Sequence, residues 1–430
     1  MKHILKKSRF LCVVMAFFYT ISYSFYNIKI MQERVEDFSF DIVNKIIYQK
    51  EVSLNPNIIL FTFDELYLKK YNLLNENNES SYGYLFPRDH IATFIENLDN
   101  FTKDINRSNR PKALFIDFDV KYSMLPYNKG LSAQDKKLIE VLKNKREYII
   151  FFPKNSQYNF IQTIKDEQIQ KQIKSGKIRF ASTLFKISDD CSIRRYVPKK
   201  EINNTIYENV NIALWRTITN RKEPIKEDII GNKILFKGYK PSMKDNDCLF
   251  AQSYWSNLTK YSANCNFYEI IESDFANSII MLGGEYSKKD YFNIINTFSE
   301  YLDTPSVSGI DIHANILNTL LYFNGEIKRL PLLETIIIGV GVFCITFFIV
   351  LLTLKKIKSY NKKLGVVVVI SSIFMLLISM WLLEYKHLWF NWGVGVAFYG
   401  VLTPLSLVFI KVFYNIKQAI QRLKNEKTTS

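Results

Sequence analysis

Two apolar runs in the first third of the chain end in paired carboxylates, Asp64 with Glu65 and Asp117 with Asp119. If the runs are neighbouring parallel strands, the carboxylates share the carboxyl edge of a sheet, where open α/β folds bind ligands. Carboxylates gathered there could hold a hard cation such as Mg²⁺ or Ca²⁺, or bind a cationic ligand. The alternative is structural, with these groups capping helices or pairing with Arg88 or Lys121.

Two further side chains are candidates for binding. Arg194 could meet an anion, or it could pair with Asp189 or Asp190 across a turn. His313 lies two residues after Asp311 at a predicted helix start, where it could be a ligand or a buried, hydrogen-bonded histidine. With four His in the chain, a zinc site is not favoured. No nucleophile–base pattern accompanies the acidic pairs, so binding ranks above catalysis.

The elements that must position these residues alternate between strand and helix. Apolar runs of strand length cover 57–63, 113–119, 148–152 and 278–282. Amphipathic helical spacing covers 87–98, 132–146 and 310–322. Strands that are apolar on both faces and alternate with helices are typical of a parallel sheet. The fold class is therefore predicted as α/β with a mostly parallel sheet.

Weaker patterns complete this part of the chain. Residues 177–185 and 233–236 have the composition of strands. Residues 32–50 predict a helix, either packed into a core or transmitting a signal. The residues on its apolar face are Val35, Phe38, Ile42, Ile46 and Ile47. Cys248 and Cys265 could form a disulfide or remain free thiols.

Four apolar runs are long enough to cross a bilayer, which takes about 20 helical residues. They cover 10–31, 331–354, 364–384 and 388–414. Trp381, Trp389 and Trp392 flank the turn between the last two runs, where an interfacial aromatic belt is expected. We therefore predict four transmembrane helices, one N-terminal and three C-terminal.

The basic residues predict the orientation of these spans. The chain has 57 Lys+Arg and 41 Asp+Glu, a net charge of +16, and most of the excess flanks the apolar runs. By the positive-inside rule the tails 1–9 and 415–430 are cytoplasmic, as is the loop between the second and third spans. The domain 32–330 then lies outside. The short last tail predicts no cytoplasmic effector domain on this chain.

Seven short motifs in order resemble one family, the type-two CHASE sensor domain. They are Glu36-Asp37-Phe38, Phe63-Asp64-Glu65, Pro87-Arg88, residues 113–119, residues 189–195, residues 280–283 and residues 304–315. The resemblance covers about 36–325 and implies an extracellular sensor in a bacterial plasma (inner) membrane. Members usually carry a kinase or cyclase effector, so it also implies a separate signalling partner. The resemblance and the helix at 32–50 favour a homodimer.

The leading hypothesis is a membrane sensor or scaffold that binds a ligand or envelope component and is not an enzyme. Its candidate ligand-binding residues are Asp64, Glu65, Arg88, Asp117, Asp119, Arg194 and His313. No cofactor is evident, although the acidic cluster could take a divalent cation. An extracytoplasmic metal-dependent enzyme is the alternative, and transport ranks last because the spans hold few ionisable groups. Nucleic-acid binding is excluded, since the basic residues flank membranes.

Overall fold

The computed structural model describes most of the chain between residues 29 and 396. The described residues are 29–75, 86–122, 124, 130–228, 231–240, 243–245, 248–286, 291–294, 306–353, 360–394 and 396. Almost all of the predicted first span, 10–31, lies outside them. The tails 1–9 and 415–430, and the part of the predicted fourth span beyond residue 396, also lie outside them.

Strands and helices alternate through the first half of the described chain. In order they are α1 (Lys29–Ile47), β1 (Ile58–Phe63), α2 (Glu65–Lys70), α3 (Arg88–Asp104), β2 (Ala113–Ile116), α4 (Ala133–Lys143), β3 (Ile149–Pro153), α5 (Phe160–Thr163), α6 (Glu167–Lys174), β4 (Ile178–Ala181), β5 (Phe185–Ile187), β6 (Ile193–Tyr196), β7 (Lys199–Ile202), β8 (Thr205–Glu208) and α7 (Val210–Thr219).

The second half returns to the sheet before it reaches the apolar helices. Its elements are β9 (Met243–Asp245), β10 (Cys248–Gln252), β11 (Leu258–Ser262), β12 (Ile279–Gly284), β13 (Tyr291–Asn293), β14 (Ser306–Ser308), α8 (Gly309–Phe323), β15 (Lys328–Arg329), α9 (Leu332–Thr353), α10 (Tyr360–Lys386) and β16 (Leu388–Trp389).

The central sheet has eight described strands in the order β4-β3-β2-β12-β1-β11-β10-β9. The strands from β4 to β11 pair in parallel, and β10 and β9 add antiparallel at one edge. All six residues of β1 are buried, as are five of the six in β12. A strand that is apolar on both sides needs cover on both sides, which is the arrangement of parallel sheets in α/β folds. The predicted fold class of the domain is confirmed.

Helices cover both faces of the sheet. On one face, Ile59, Phe61 and Phe63 of β1 share a core with residues of α3, α4 and α6. On the other face, α7 contacts α8, α7 also contacts β2 and β4, and α8 contacts β12. The side chains of α8 are buried nearly throughout, including the polar ones. Polar groups on a buried helix need partners inside the protein, and the polar side chains of α8 bond to residues of other elements.

The disulfide left open by the sequence is formed. Cys248 at the start of β10 is bonded to Cys265, which follows β11, with 4.8 Å between their Cα atoms. Both cysteines belong to the core on the α3 side of the sheet. The bridge closes a segment of 17 residues and links the ends of an antiparallel strand pair. Disulfides of this kind persist in oxidising compartments.

The predicted strand at 233–236 is replaced by an extended segment. Lys233 forms an isolated bridge with Arg195, but the segment joins none of the sheets formed by the described residues. Its backbone N–H groups and that of Lys237 instead donate largely to side chains of other elements, among them Thr319, Asn44 and Asn315. A short apolar run has the same sequence pattern in a sheet strand and in an isolated extended segment, because the pattern depends on burial and not on which groups the backbone bonds to.

The described chain forms two compact units, one of residues 44–326 and one that contains the described residues up to Val43 and from Ile327 onward. In the second unit, buried Glu36 accepts hydrogen bonds from Arg329 Nη2 and Trp389 Nε1, both at 3.2 Å. Trp392 Nε1 donates to Ser39 O at 3.1 Å. Trp389 and Trp392 are therefore buried against α1, whereas Trp381, the third residue of the predicted aromatic belt, is 50% exposed.

The apolar face predicted for 32–50 is only partly the buried face of α1, since Ile47 is buried and Val35 and Ile42 are half-buried. Phe38 is 36% exposed and Ile46 51% exposed, while Phe40 and Val43 are buried. The helix is turned toward Glu36, whose carboxylate has the two partners named above. Hydrophobic spacing alone gave the wrong burial for Phe38 and Ile46. It gave no weight to Glu36, a buried charged side chain whose partners lie far along the chain.

Two helices among the described residues are long and apolar enough to cross a membrane. These segments are Leu332–Val350 and Gly365–Lys386, within α9 and α10. They coincide with two of the four predicted spans. Thr346 and Ser371 form a hydrogen bond of 2.5 Å between them, a common way for apolar helices to associate.

Candidate functional site

The predicted acidic residues lie at the carboxyl edge of the sheet, but their strands are not neighbours. β12 lies between β1 and β2, so the expected direct adjacency is wrong. Two strand spacings of about 4.8 Å separate the ends of β1 and β2 by roughly 10 Å. The intervening strand is followed directly by Glu285, whose backbone N–H bonds to Phe63 O. The carboxylates in order along this edge are therefore Asp117, Glu285 and Asp64.

Asp64 and Glu65 have structural roles. Asp64 is the N-cap of α2, and its Oδ1 accepts from Tyr67 N at 2.9 Å and from Ser262 Oγ at 3.0 Å. Glu65 is exposed and pairs with Lys69 one turn later. The capping alternative raised from the sequence accounts for Asp64.

Asp119 and Arg88 are not brought together as a binding pair. Asp119 is exposed, and its Oδ1 accepts from Lys121 N at 2.8 Å. Arg88 is buried, with its Nη1 2.6 Å from Asp135 Oδ1 and its guanidinium 4.5 Å from the Phe160 ring centroid. Arg88 therefore ties the start of α3 to the start of α4.

Arg194 is held by a neighbour in sequence. Its Nη1 and Nη2 donate to the two carboxylate oxygens of Asp190, both at 2.7 Å. This bidentate pair is the turn pairing considered as an alternative to anion binding. Among the residues that the structure describes, no group of three or more His, Cys, Asp or Glu side chains could hold a metal ion.

Asp117 and His313 do meet. His313 is 1% exposed, and its Nε2 lies 4.0 Å from Asp117 Oδ1. The ring packs between Phe115 and Phe185, with centroid distances of 5.2 and 6.0 Å. Burial in this apolar setting lowers the pKa of His313 to about 3, so the ring is neutral near pH 7.

A chain of hydrogen bonds fixes which ring nitrogen of His313 carries the proton. Asn209 Nδ2 donates to the carbonyls of Leu184 and Val197, so its Oδ1 is left to accept. That oxygen accepts from Asn211 Nδ2, which also lies 2.9 Å from His313 Nδ1. An amide nitrogen only donates, so Nδ1 accepts and the ring proton is on Nε2. The N–H of His313 therefore points toward Asp117.

A second cluster lies beside this pair and centres on Lys260 of β11. Its Nζ is bonded to Glu285 and lies 3.2 Å from Asp311 Oδ2. Asp311 also accepts from Tyr239 OH at 2.9 Å and from Ser308 Oγ at 2.7 Å. Asp311 is buried, with 4% of its side chain exposed, whereas Lys260 and Glu285 keep 14% and 21% of their side-chain exposure.

Burial and unequal charge set the electrostatics of this cluster. Burial raises the pKa of Glu285, the Lys260 charge opposes the rise, and the charges of Asp311 and Asp64 add to it. Burial works against the charged form of Lys260, yet Asp311 and Glu285 outweigh it and raise the pKa of the lysine. The single positive charge of Lys260 is therefore shared by two carboxylates, Glu285 and Asp311, and the charge of Asp64 also acts on Glu285.

A polar ladder on α8 links this cluster to the extended segment 233–240. Thr319 Oγ1 accepts from Leu235 N at 2.9 Å, and Asn315 Oδ1 accepts from Lys237 N at 2.9 Å. The third contact of the series is the bond from Tyr239 to Asp311. Successive contacts therefore advance two residues along the segment and four residues back along α8.

The opposite edge of segment 233–240 bonds to the end of α1. Phe236 N donates to Asn44 Oδ1 at 3.1 Å, and Gly238 N donates to Tyr48 O at 3.1 Å. The Lys237 ammonium bonds to the carbonyls of Ile47 and Lys50, where a helix end presents partial negative charge. Segment 233–240 thus contacts both the carboxyl-edge cluster and the last turn of α1.

Gly283 has a packing role at this edge. A Cβ there would lie 2.6 Å from Ile310 Cβ, so β12 and the start of α8 approach each other at a distance that only glycine allows. Because no phosphate-binding motif follows the Gly283-Gly284 pair, close packing is the physical reason for this glycine.

Sequence reasoning missed Lys260, Glu285, Tyr239 and Asn211. A lysine inside an alternating strand pattern normally indicates a solvent-facing position, and here it is buried beside two carboxylates. One signal was available for Glu285, because it directly follows a buried strand in the same way as Asp64 and Asp117.

A family model for the CHASE2 domain matches residues 11–354. The chain belongs to the CHASE2 domain family. CHASE2 domains are extracellular sensors and not a catalytic family, so the resemblance inferred from the ordered motifs is confirmed. The match takes in the whole unit 44–326 with both clusters of this CHASE2 domain. No curated protein and no solved structure matches the chain.

Proposed function

We propose that this CHASE2 protein is an integral membrane sensor of a bacterial inner membrane. The domain 32–330 lies outside, the spans 10–31, 331–354, 364–384 and 388–414 hold it, and both termini are cytoplasmic. Family membership, the two apolar helices α9 and α10, and the basic residues that flank the apolar runs support this proposal.

The sensing site is the carboxyl edge of the sheet, and its ligand presents a cationic group. Asp117 and Glu285 follow adjacent strands, and each keeps 21% of its side-chain exposure, so both remain accessible. The ammonium of Lys260 does not balance the carboxylates around it. A ligand cation at this edge gains from that excess of negative charge.

The observation that carries the proposal is the continuous set of bonds from this edge to the last turn of α1. A ligand changes an output only if it binds two states of the protein differently. Displacement of Asp311 moves the ladder on α8, and with it the segment that caps α1. The signal then passes to a separate kinase, cyclase or other signalling protein.

The first experiment tests binding by thermal unfolding of the full chain in detergent, followed by tryptophan fluorescence. Mg²⁺, Ca²⁺ and putrescine are each compared with NaCl at equal ionic strength. A probe at ten times its dissociation constant stabilises by about 1.4 kcal/mol, or roughly 3 °C. Asp117→Asn removes that shift, whereas the exposed control Asp119→Asn retains it. Equal shifts in both variants, or none in the wild type, would contradict the proposed site.

The second experiment tests coupling by hydrogen exchange. Asp311→Asn, at the cluster, changes exchange of the Phe236 and Gly238 amides and of the last turn of α1. The amides of α6, which has no bond to the ladder, serve as the internal control and keep their rates. Uniform changes in both regions would indicate general destabilisation and would count against a specific path.

The proposal includes a homodimer. Phe38, which also contacts the Trp392 ring, and Ile46 are apolar side chains of α1 with 36% and 51% exposure, and we place the contact with a second copy there. Detergent-corrected mass of the purified chain measures this directly, and Phe38→Glu with Ile46→Glu converts dimer to monomer. A monomeric mass for the wild type at micromolar concentration would remove this part of the proposal.

A further inference from the structure

A second cleft lies at the amino edge of the sheet, away from the proposed sensing site. It has a volume of 320 Å³ and is lined by residues that precede β2 and β3 and by the last turns of α3. Four of its lining side chains are cationic and two are anionic. The cationic ones are Lys103, Arg110, Lys145 and Arg146, and the anionic ones are Asp99 and Glu147.

The floor of the cleft is internally paired. Arg146 Nη2 lies 2.9 Å from Asp99 Oδ2, and Tyr148 OH donates to Asp99 Oδ1 at 2.6 Å. Arg146 also caps the end of α4 by donating to Val141 O at 2.7 Å. Each of these groups has a partner in the folded chain, so the floor of the cleft has a structural role.

Arg110 is paired only in part. Its Nη1 lies 3.1 Å from Glu147 Oε1, and Arg107 pairs with the other oxygen of the same carboxylate. Its Nη2 donates to Ile105 O at 3.3 Å, and its Nε is sealed from the cleft and has no partner among the described residues. Arg110 is therefore held to the protein, and the accessible charges of the cleft are those of the rim lysines.

Two ammonium groups on the rim have no anionic partner among the described residues. Lys103 Nζ reaches Asn100 Oδ1 at 3.5 Å, and Lys145 forms no bond to another described residue. Asp104, the nearest carboxylate in sequence to Lys103, is bonded to Tyr268 OH. Together with Arg107 and Asp104, the lining side chains make five cations and three carboxylates, an excess of two positive charges around the cleft.

We propose that this cleft binds a small phosphate monoester. A monoester carries about −1.5 to −2 charges near neutral pH, which matches the two lysines better than a carboxylate or a diester does. Lys103 and Lys145 contact the phosphate oxygens. The volume is larger than a bare phosphate needs and fits a small organic phosphate. This inference is independent of the carboxyl-edge site.

The experiment measures thermal unfolding of the full chain in detergent against glycerol 3-phosphate, inorganic phosphate and acetate, with NaCl at equal ionic strength. Glycerol 3-phosphate raises the melting temperature of the wild type most and acetate does not raise it. The double variant Lys103→Gln with Lys145→Gln weakens the apparent dissociation constant by at least tenfold, since each charge-assisted bond contributes about that factor.

The matched control changes the same charge elsewhere. Lys136→Gln with Lys174→Gln alters two exposed lysines on α4 and α6 that do not line the cleft, and it keeps the wild-type response. Arg110→Lys retains the charge of a side chain that is already paired with Glu147, and it weakens binding less than the double variant. A wild-type response no larger than that to NaCl, or an equal loss in both double variants, would overturn the proposal.

Discussion

The two edges of the central sheet treat charge in opposite ways. At the carboxyl edge, Lys260 is bonded to Asp311 and Glu285, and the three side chains are 14%, 4% and 21% exposed. At the amino edge, the paired groups form the floor and the rim lysines face solvent. A buried network responds to any change in one member, whereas an open rim can bind and release an ion without disturbing the fold. The carboxyl edge is therefore suited to transmitting a change and the amino edge to binding alone.

The largest expected effect tests this contrast directly. Lys260→Met leaves two buried carboxylates without their cation and lowers the unfolding free energy by about 3–5 kcal/mol. The matched change at the other edge, Lys145→Met, stays within about 0.5 kcal/mol. Urea unfolding of the full chain at pH 7 measures both. Similar losses for the two variants would abolish the distinction between the edges.

The next largest effect is a loss of stability in acid that arises from His313 at the carboxyl edge. Because burial lowers the pKa of His313 from 6.5 to about 3, its stabilising contribution is complete above pH 6.5 and is lost as the pH falls toward 3. The slope from one proton is about 1.4 kcal/mol per pH unit. His313→Gln removes this slope in urea unfolding between pH 7 and 5. An unchanged slope in that variant would show that another group causes the acid loss.

Packing at the carboxyl edge gives the next effect. Gly283→Ala places a Cβ against the branched Ile310 side chain, which cannot move aside, and destabilises by about 1–3 kcal/mol. Gly130→Ala, at a position with no atom of the described residues within 4 Å of the added Cβ, is the comparison for steric effects. Its positive φ adds some strain of its own, so the comparison is conservative. Thermal unfolding of both variants measures the difference.

Glu285 should show the opposite pH dependence from His313. Because burial raises its pKa above the usual 4.5, its contribution is complete below pH 4.5 and is lost as the pH rises through the raised pKa. Glu285→Gln therefore gains stability relative to the wild type as the pH rises from 4.5 to 7. A difference between the two proteins that does not vary over this range would mean that Glu285 is ionised in both states throughout.

The smallest effect belongs to the amino-edge rim without ligand. Lys103→Gln and Lys145→Gln each change the unfolding free energy by less than about 0.5 kcal/mol, because neither ammonium has an anionic partner among the described residues. Larger losses in either variant would show that the rim is structural. The measurement is urea unfolding in chloride buffer.

The sequence predicted the strands and helices of the domain better than their arrangement. The runs at 57–63, 113–119 and 278–282 are strands because each is apolar on both faces. Their order was not predictable, since β12 enters between β1 and β2 from far along the chain and pairing leaves no local pattern.

The residues of the candidate site were also predicted only in part. Asp117 and His313 were recognised because their residue types suggest chemistry, and the structure places them 4.0 Å apart. Lys260 and Asn211 were missed because a lysine in a strand and an asparagine at a helix start are ordinary in sequence. Their importance comes from burial beside particular partners, which only tertiary structure specifies.

The ladder between α8 and the extended segment joins two spacings that do not match. Four residues of helix advance about 6.0 Å and two residues of extended chain about 6.6 Å, so the misalignment grows by about 0.6 Å at each step. The first two contacts use backbone N–H groups, and the third is made by the long side chain of Tyr239. A further step of four residues back along α8 would reach Val307, which precedes the first residue of the helix, Gly309. The ladder therefore ends where α8 begins.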